Sequence, residues 1–250
     1  KIYDITVYNS TNLLDSLALL IKELPQYVLK IFINNLPDEI PKGIFTDREN
    51  IQELILNAKF TSIGEEAFKN CKNLTSILGH NDYREIKKSA FENCQKLPYF
   101  NFPESLESIG NRAFFACYKL ECLNSPTNLS EIGEEAFSEC YALQSLIFNS
   151  NISKIAKNAF YNVNGSAIAY LRFENLQAIP DELFKDAQID HISTYEYNEE
   201  NINKIVSITG NPNWKECFTK DTVNIGKNYG GWCGLILEVD NIFNKLLLND

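Results

Sequence analysis

The run Ile132-Gly133-Glu134-Glu135-Ala136-Phe137-Ser138-Glu139-Cys140, with Leu143 three residues on, is one copy of a pattern that returns at a fixed step. Ile63-Gly64-Glu65-Glu66-Ala67-Phe68-Lys69-Asn70-Cys71 leads to Leu74, Ile86…Ala90-Phe91…Cys94 to Leu97, and Ile109…Ala113-Phe114…Cys117 to Leu120. Isoleucines 63, 86, 109, 132 and 155 stand 23 residues apart, Ile179 follows after 24, and Ile40 with Ile44-Phe45 lies one 23-residue step earlier. A period in the twenties marks a solenoid: each copy is one small supersecondary unit, and the array grows by stacking rather than around a single globular core.

Within a copy the apolar residues fall at i, i+4, i+5 and i+8 (Ile132, Ala136, Phe137, Cys140), which predicts a turn or two of helix with Glu134, Glu135, Ser138 and Glu139 outside. Glycines 64, 110 and 133 open that helix at little side-chain cost, and the alanine column (67, 90, 113, 136, 159) marks a close backbone approach. The phenylalanine column (45, 68, 91, 114, 137, 160, 184) is expected to stack as a spine between coils. A short alternating run follows each helix, Leu143-x-x-Leu146-x-Phe148 or Ile51-x-x-Leu54-x-Leu56, and predicts one strand per copy in a parallel sheet. Strands are expected near 28, 51, 74, 97, 120 and 143; the next interval is longer by two, giving Ile168-x-x-Leu171-x-Phe173, and the last is Ile189-x-x-Ile192. Phe60, Tyr83, Leu106, Leu129, Ile152 and Leu176 fill the corner before each key isoleucine.

This pattern resembles the BspA-like leucine-rich repeats, whose hallmark is I-G-x-x-A-F-x-x-C-x-x-L. Units 63–74, 86–97, 109–120 and 132–143 match almost fully, whereas Val163 and Ala187 replace the cysteine later, and Ile44 and Arg48 replace alanine and cysteine in the first unit. The expected fold is α/β: a leucine-rich-repeat horseshoe of 23-residue repeats over 28–195, one parallel sheet on the concave side and short helices on the convex side. The resemblance implies a surface-exposed recognition protein, cell-surface or secreted, of a kind found in anaerobic bacteria and parasitic protists.

Residues 1–27 read as an N-terminal cap, an alternating strand Lys1–Tyr8 followed by a helix over Thr11–Leu24 that covers the open end of the spine. Residues 196–250 leave the pattern and read as a C-terminal cap or a small non-repeat domain. The formal charge of −10 argues against nucleic acid or an anionic membrane as partner, and no apolar stretch is long enough to span a bilayer. Of seven cysteines, four (71, 94, 117, 140) occupy the repeat column and read as buried, reduced fillers; Cys217 and Cys233 are left as disulfide candidates. Sequons at Asn9, Asn73, Asn128, Asn151 and Asn164 arise readily in an asparagine-rich chain.

Catalytic chemistry finds little footing. His80 and His191 have no nearby nucleophile, Cys233 has no base placed beside it by sequence, and neighbouring acids such as Glu134 and Glu135 diverge on a helix. No enzyme, cofactor or metal is therefore expected. What remains is a surface. With Leu146 and Phe148 inward, the alternate residues face the concave side, which puts Phe32, Ile55 and Leu78 in one row with Tyr99, Tyr170 and Arg172 further along. The expected function is a monomeric, non-enzymatic module binding a protein or glycan there. The alternatives are a passive spacer in an array and a small functional domain in 196–250.

Overall fold

The computed structural model describes residues 2–5, 19, 23, 30–33, 38–56, 59–79, 82–143, 145–148, 152, 154–163, 167–171 and 189–194. In chain order the strands are β1 (Ile2–Ile5), β2 (Lys30–Ile33), β3 (Glu39–Ile40), β4 (Glu53–Leu56), β5 (Ser62–Ile63), β6 (Ser76–Gly79) and β7 (Glu85–Ile86). They continue as β8 (Ser108–Ile109), β9 (Cys122–Asn124), β10 (Glu131–Ile132), β11 (Ser145–Phe148), β12 (Lys154–Ile155), β13 (Ala167–Leu171) and β14 (Ile189–Thr194). Among the described residues all pairing is parallel, in three sheets ordered β1-β2-β4-β6, β9-β11-β13-β14 and β3-β5-β7-β8-β10-β12. The chain is a parallel β-solenoid, with longer strands on one face and two-residue strands at the key isoleucines on another.

The second sheet is absent from the sequence reading, and it explains the isoleucine column. Each key isoleucine pairs with the next, Ile40 with Ile63 and Ile63 with Ile86, while its side chain enters the core. The N–H after each isoleucine donates to the isoleucine carbonyl of the preceding coil, as from Gly64 to Ile40 (2.9 Å) and Gly133 to Ile109 (2.8 Å). Lys87 and Ala156 make the same bond with a side chain, but at Gly64 the coils come closer, and a Cβ there would lie 2.2 Å from the Ile40 oxygen. The glycine serves this close approach rather than a helix start.

Among the described residues the expected convex helices are not formed. After the key isoleucines from Ile40 to Ile155 runs a series of tight turns, with left-handed residues twice per coil, as at Glu66 (φ 57) and Asn70 (φ 61) or Arg112 (φ 57) and Ala116 (φ 57). The N–H groups divide their bonds in alternation. Those of Ala67, Lys69 and Cys71 close turns on Gly64, Glu66 and Phe68 three residues back. Those of Glu66, Phe68 and Asn70 donate to Lys88, Ala90 and Glu92 of the next coil, at 3.0, 2.7 and 2.8 Å. A helix would direct its paired donors to its own carbonyls four residues back; here half of them tie one coil to the next, which accounts for the same apolar spacing without helical geometry.

Behind these turns the phenylalanines stack as expected: Phe45, Phe68, Phe91, Phe114, Phe137 and Phe160 lie with successive centroids 5.0, 5.0, 5.1, 5.2 and 5.3 Å apart. Cys71, Cys94, Cys117 and Cys140 are buried and free. Each thiol donates to the phenylalanine carbonyl of the coil before it, Cys71 to Phe45 (3.0 Å), Cys94 to Phe68, Cys117 to Phe91 and Cys140 to Phe114 (3.2 Å each). The column is therefore a filler with a polar task, bridging coils at carbonyls that would otherwise hold one bond.

Two strand expectations fail. No strand forms near 97, and residues 98–103 interrupt the longer sheet between β6 and β9. At this point each coil opens its strand by donating to the previous one, Thr75 to Gln52 (2.7 Å) and Glu121 to Pro98 (3.0 Å), but Pro98 has no N–H to give to Thr75. Phe100 then wedges edge-on between Phe91 and Phe114, at 4.8 and 4.9 Å, and Phe102 meets Phe114 and Phe137 edge-on. The preceding strand ends on Gly79, whose φ of 132° and a Cβ position 1.8 Å from the Leu56 oxygen admit no side chain. The second failure is the two-residue lengthening: Ser145 pairs with Ile168 and Ile147 with Tyr170, so the 23-residue step holds through β13. The backbone ladder follows coil length, not the shifted apolar triplet. A small shift comes later, between Ala167 and Ile168 against β14.

Of the N-terminal cap, β1 pairs with β2, and Leu19 and Glu23 are helical. The rest of that helix, Phe184, Arg172, Cys217, Cys233 and the whole of 196–250 lie outside the described residues.

Phe114, fully buried between two coils, is expected to lose about 3–5 kcal/mol of stability on truncation to alanine, read by chemical denaturation. The thiols should resist labelling in the native state and react quickly in denaturant. Burial pushes Cys71 up to about 12 and Cys94, Cys117 and Cys140 up as well. Because the unfolded thiols ionise first, stability should fall as pH rises through the interval above the ordinary thiol range, and Cys→Ala variants should flatten that fall.

Candidate functional site

The face formed by the longer strands is built from simple alternation. In β4, Leu54 and Leu56 are buried while Glu53 and Ile55 are partly open. In β6, Leu78 is 53% exposed although it is a large apolar residue. Backbone register aligns Asp4 with Phe32, Phe32 with Ile55 and Ile55 with Leu78. The structure thus brings three of the six sequence-predicted site residues, Phe32, Ile55 and Leu78, into one row across β2, β4 and β6.

The others stand apart. Tyr99 lies in the interrupted segment, half-buried, with its hydroxyl donating to Glu121 Oε2 at 2.8 Å. Tyr170 aligns with Ile147 and Ser193 in the second longer sheet, on the far side of the break, and so shares the row of Asn124 rather than that of Ser145. The face is consequently two patches separated by Pro98–Pro103, not one continuous band.

The turn face carries cross-coil charge pairs, Lys42 with Glu65 (3.0 Å) and Lys72 with Glu49 (2.6 Å), and Arg84 pairs with Glu107 (3.5 Å) beside the two-residue strands. Arg112 lies over the Phe115 ring, 3.7 Å from its centroid, and pairs with both Glu92 and Glu135. Burial raises the Glu92 carboxyl, but hydrogen bonds from Arg112 and Ser89, with the charge of Arg112 and Lys69, hold it below the usual range. Further along, Tyr118 and Tyr141 stack at 5.2 Å, one coil apart. The sequence reading missed this pair, although the recurring Cys-Tyr at 117–118 and 140–141 announces it. Among the described residues no group of His, Cys, Asp or Glu is arranged to hold a metal, and no helix is long and apolar enough to cross a membrane.

The BspA type leucine rich repeat region family matches residues 38–167 and 84–210, in six copies. This chain belongs to that family. As a BspA-type repeat protein it also resembles solved structures. A T. pallidum leucine rich repeat protein (TpLRR) is 24% identical, with a TM-score of 0.54 over 66% of this chain and 72% of that one, which supports the fold alone. A leucine-rich repeat protein from Bacteroides ovatus is 19% identical over 66% of this chain and 63% of its own, with a TM-score of 0.44. A leucine rich cell surface protein from Faecalibacterium prausnitzii is 13% identical over 82% of this chain and 90% of its own, with a TM-score of 0.34. No curated protein matches the chain significantly in sequence.

Proposed function

We propose that this BspA-type chain is a non-enzymatic recognition module that binds a protein or glycan partner through the face of its longer strands. The carrying observation is Leu78, 53% exposed at the end of the register-aligned row with Phe32 and Ile55. An apolar side chain left exposed on a sheet, as Leu78 is, gains from being covered by a partner, and a few such anchors dominate most interfaces. Tyr99 borders this patch, and Tyr170 with Arg172 forms the contact beyond the break. Residues 1–27 and 196–250 act as caps of the array, the chain works as a monomer, and its place is the cell surface or the medium. The net charge of −10 turns the partner away from nucleic acid.

The test is a pull-down with the intact chain from host or neighbouring-cell extract, repeated with Ile55→Ser/Leu78→Ser. That double variant should lose most of the captured partner while its melting temperature changes little, since neither side chain belongs to the buried core. Exposed Lys88 and Glu134 on the turn face, both changed to serine, should leave capture intact. Retained binding in the Ile55/Leu78 variant sinks the reading, and a partner-free wild type points to a passive spacer.

A further inference from the structure

Arg112, Phe115, Glu92 and Glu135 form a complete set on the turn face: a guanidinium over an aromatic ring, held by carboxylates. Later on the same face the ring and the carboxylate recur without the cation. Glu139 accepts the Tyr141 hydroxyl and, at 3.1 Å on each oxygen, the Asn162 Nδ2. Its own N–H donates to the Tyr161 carbonyl at 2.9 Å, which ties its backbone to that of the next coil. Tyr118 stacks on Tyr141 at 5.2 Å and 16°. Tyr118, Tyr141 and Tyr161 are 37%, 48% and 38% exposed, which makes them three of the few large hydrophobic side chains in the described residues left open to solvent.

Two features turn this cluster from a surface accident into a site. Neutral donors orient the Glu139 carboxylate without cancelling its charge, and among the described residues no lysine or arginine pairs with it. Elsewhere on the turn face Glu65, Glu66, Glu92 and Glu135 each have a cation within the chain. We propose that Glu139, with Tyr118 and Tyr141, receives an arginine side chain from a protein partner. The guanidinium would take the free lone pairs of the carboxylate in its planar fork and stack on tyrosine, as Arg112 does on Phe115. A lysine, a point charge without a plane, fits less well. The site lies on the turn face and stands independently of the Ile55/Leu78 patch.

The experiment is an NMR titration of the intact chain with the blocked tripeptide acetyl-Gly-Arg-Gly-amide, its lysine counterpart run in parallel, following the tyrosine ring signals. The arginine peptide should shift the Tyr118 and Tyr141 rings. Glu139→Gln and Tyr118→Ala should each weaken binding roughly three- to ten-fold. Tyr118→Phe should keep it, which separates loss of the ring from any loss of fold in Tyr118→Ala. Glu85→Gln, an exposed acid on a different face, removes the same unit of charge and should change nothing. Absent tyrosine shifts, equal weakening by Glu139→Gln and Glu85→Gln, or equal binding of the lysine peptide would each overturn the assignment. Ile55→Ser/Leu78→Ser should leave this titration unchanged, so its outcome is separable from that of the longer-strand face.

Discussion

The alternating direction of backbone donors in the turn series is the constraint on which the rest of this solenoid depends. One N–H closes a turn within its own coil, the next reaches to the following coil, and the pattern recurs from Gly43 to Tyr161. Such bonding only works if each coil has the same number of residues as the one it meets. Once it does, every side chain lies over its counterpart 23 positions away. The phenylalanine stack, the thiol-to-carbonyl bonds and the cross-coil bridges of Lys42 with Glu65 and Lys72 with Glu49 all follow from that one spacing. The side chains add stability, but the backbone sets the period.

The break at residues 98–103 shows how much irregularity the arrangement absorbs. Pro98 removes a donor from the longer face, yet β7, β8 and the turn bonds from Phe91 to Ala113 continue past it. The damage stays local because the three faces of a coil bond independently. Phe100 and Phe102 fill the space with edge-on contacts to the spine, and the widest tilt within that spine, 16° between Phe91 and Phe114, falls where Phe100 enters. The consequence is a longer-strand face divided in two, with the aligned residues Phe32, Ile55 and Leu78 on one side and Tyr170 on the other.

Charge is distributed with a similar logic. In an acidic chain, carboxylates brought together by stacking would repel one another, and the turn face relieves this with cations interleaved between coils, as Arg112 between Glu92 and Glu135. The exposed pairs, such as Lys42 with Glu65 and Lys72 with Glu49, contribute little individually. Their absence at Glu139 is therefore affordable for the fold and informative about the surface.

The period, the identity of the buried columns and the outward position of Ile55 and Leu78 were all legible in the residues, because each depends on a repeated local alternation of apolar and polar positions. The burial of the four cysteines was legible for the same reason. What the residues did not reveal was decided by hydrogen-bond partners distant in sequence. Ile132, Ala136, Phe137 and Cys140 have a spacing that suits a helix and a turn series equally; only the presence of a neighbouring coil's carbonyls favours the turns. The two-residue sheet at the isoleucines is too short for any periodic signal, and the Ser145–Ile168 pairing contradicts the local apolar triplet because the ladder obeys coil length. Even the Pro98 interruption, plain in sequence as a missing donor, becomes a division of the longer-strand face only when β6 and β9 stand on either side of it. Local pattern determines which side chains are buried, and the stacking of coils determines where each backbone bond goes.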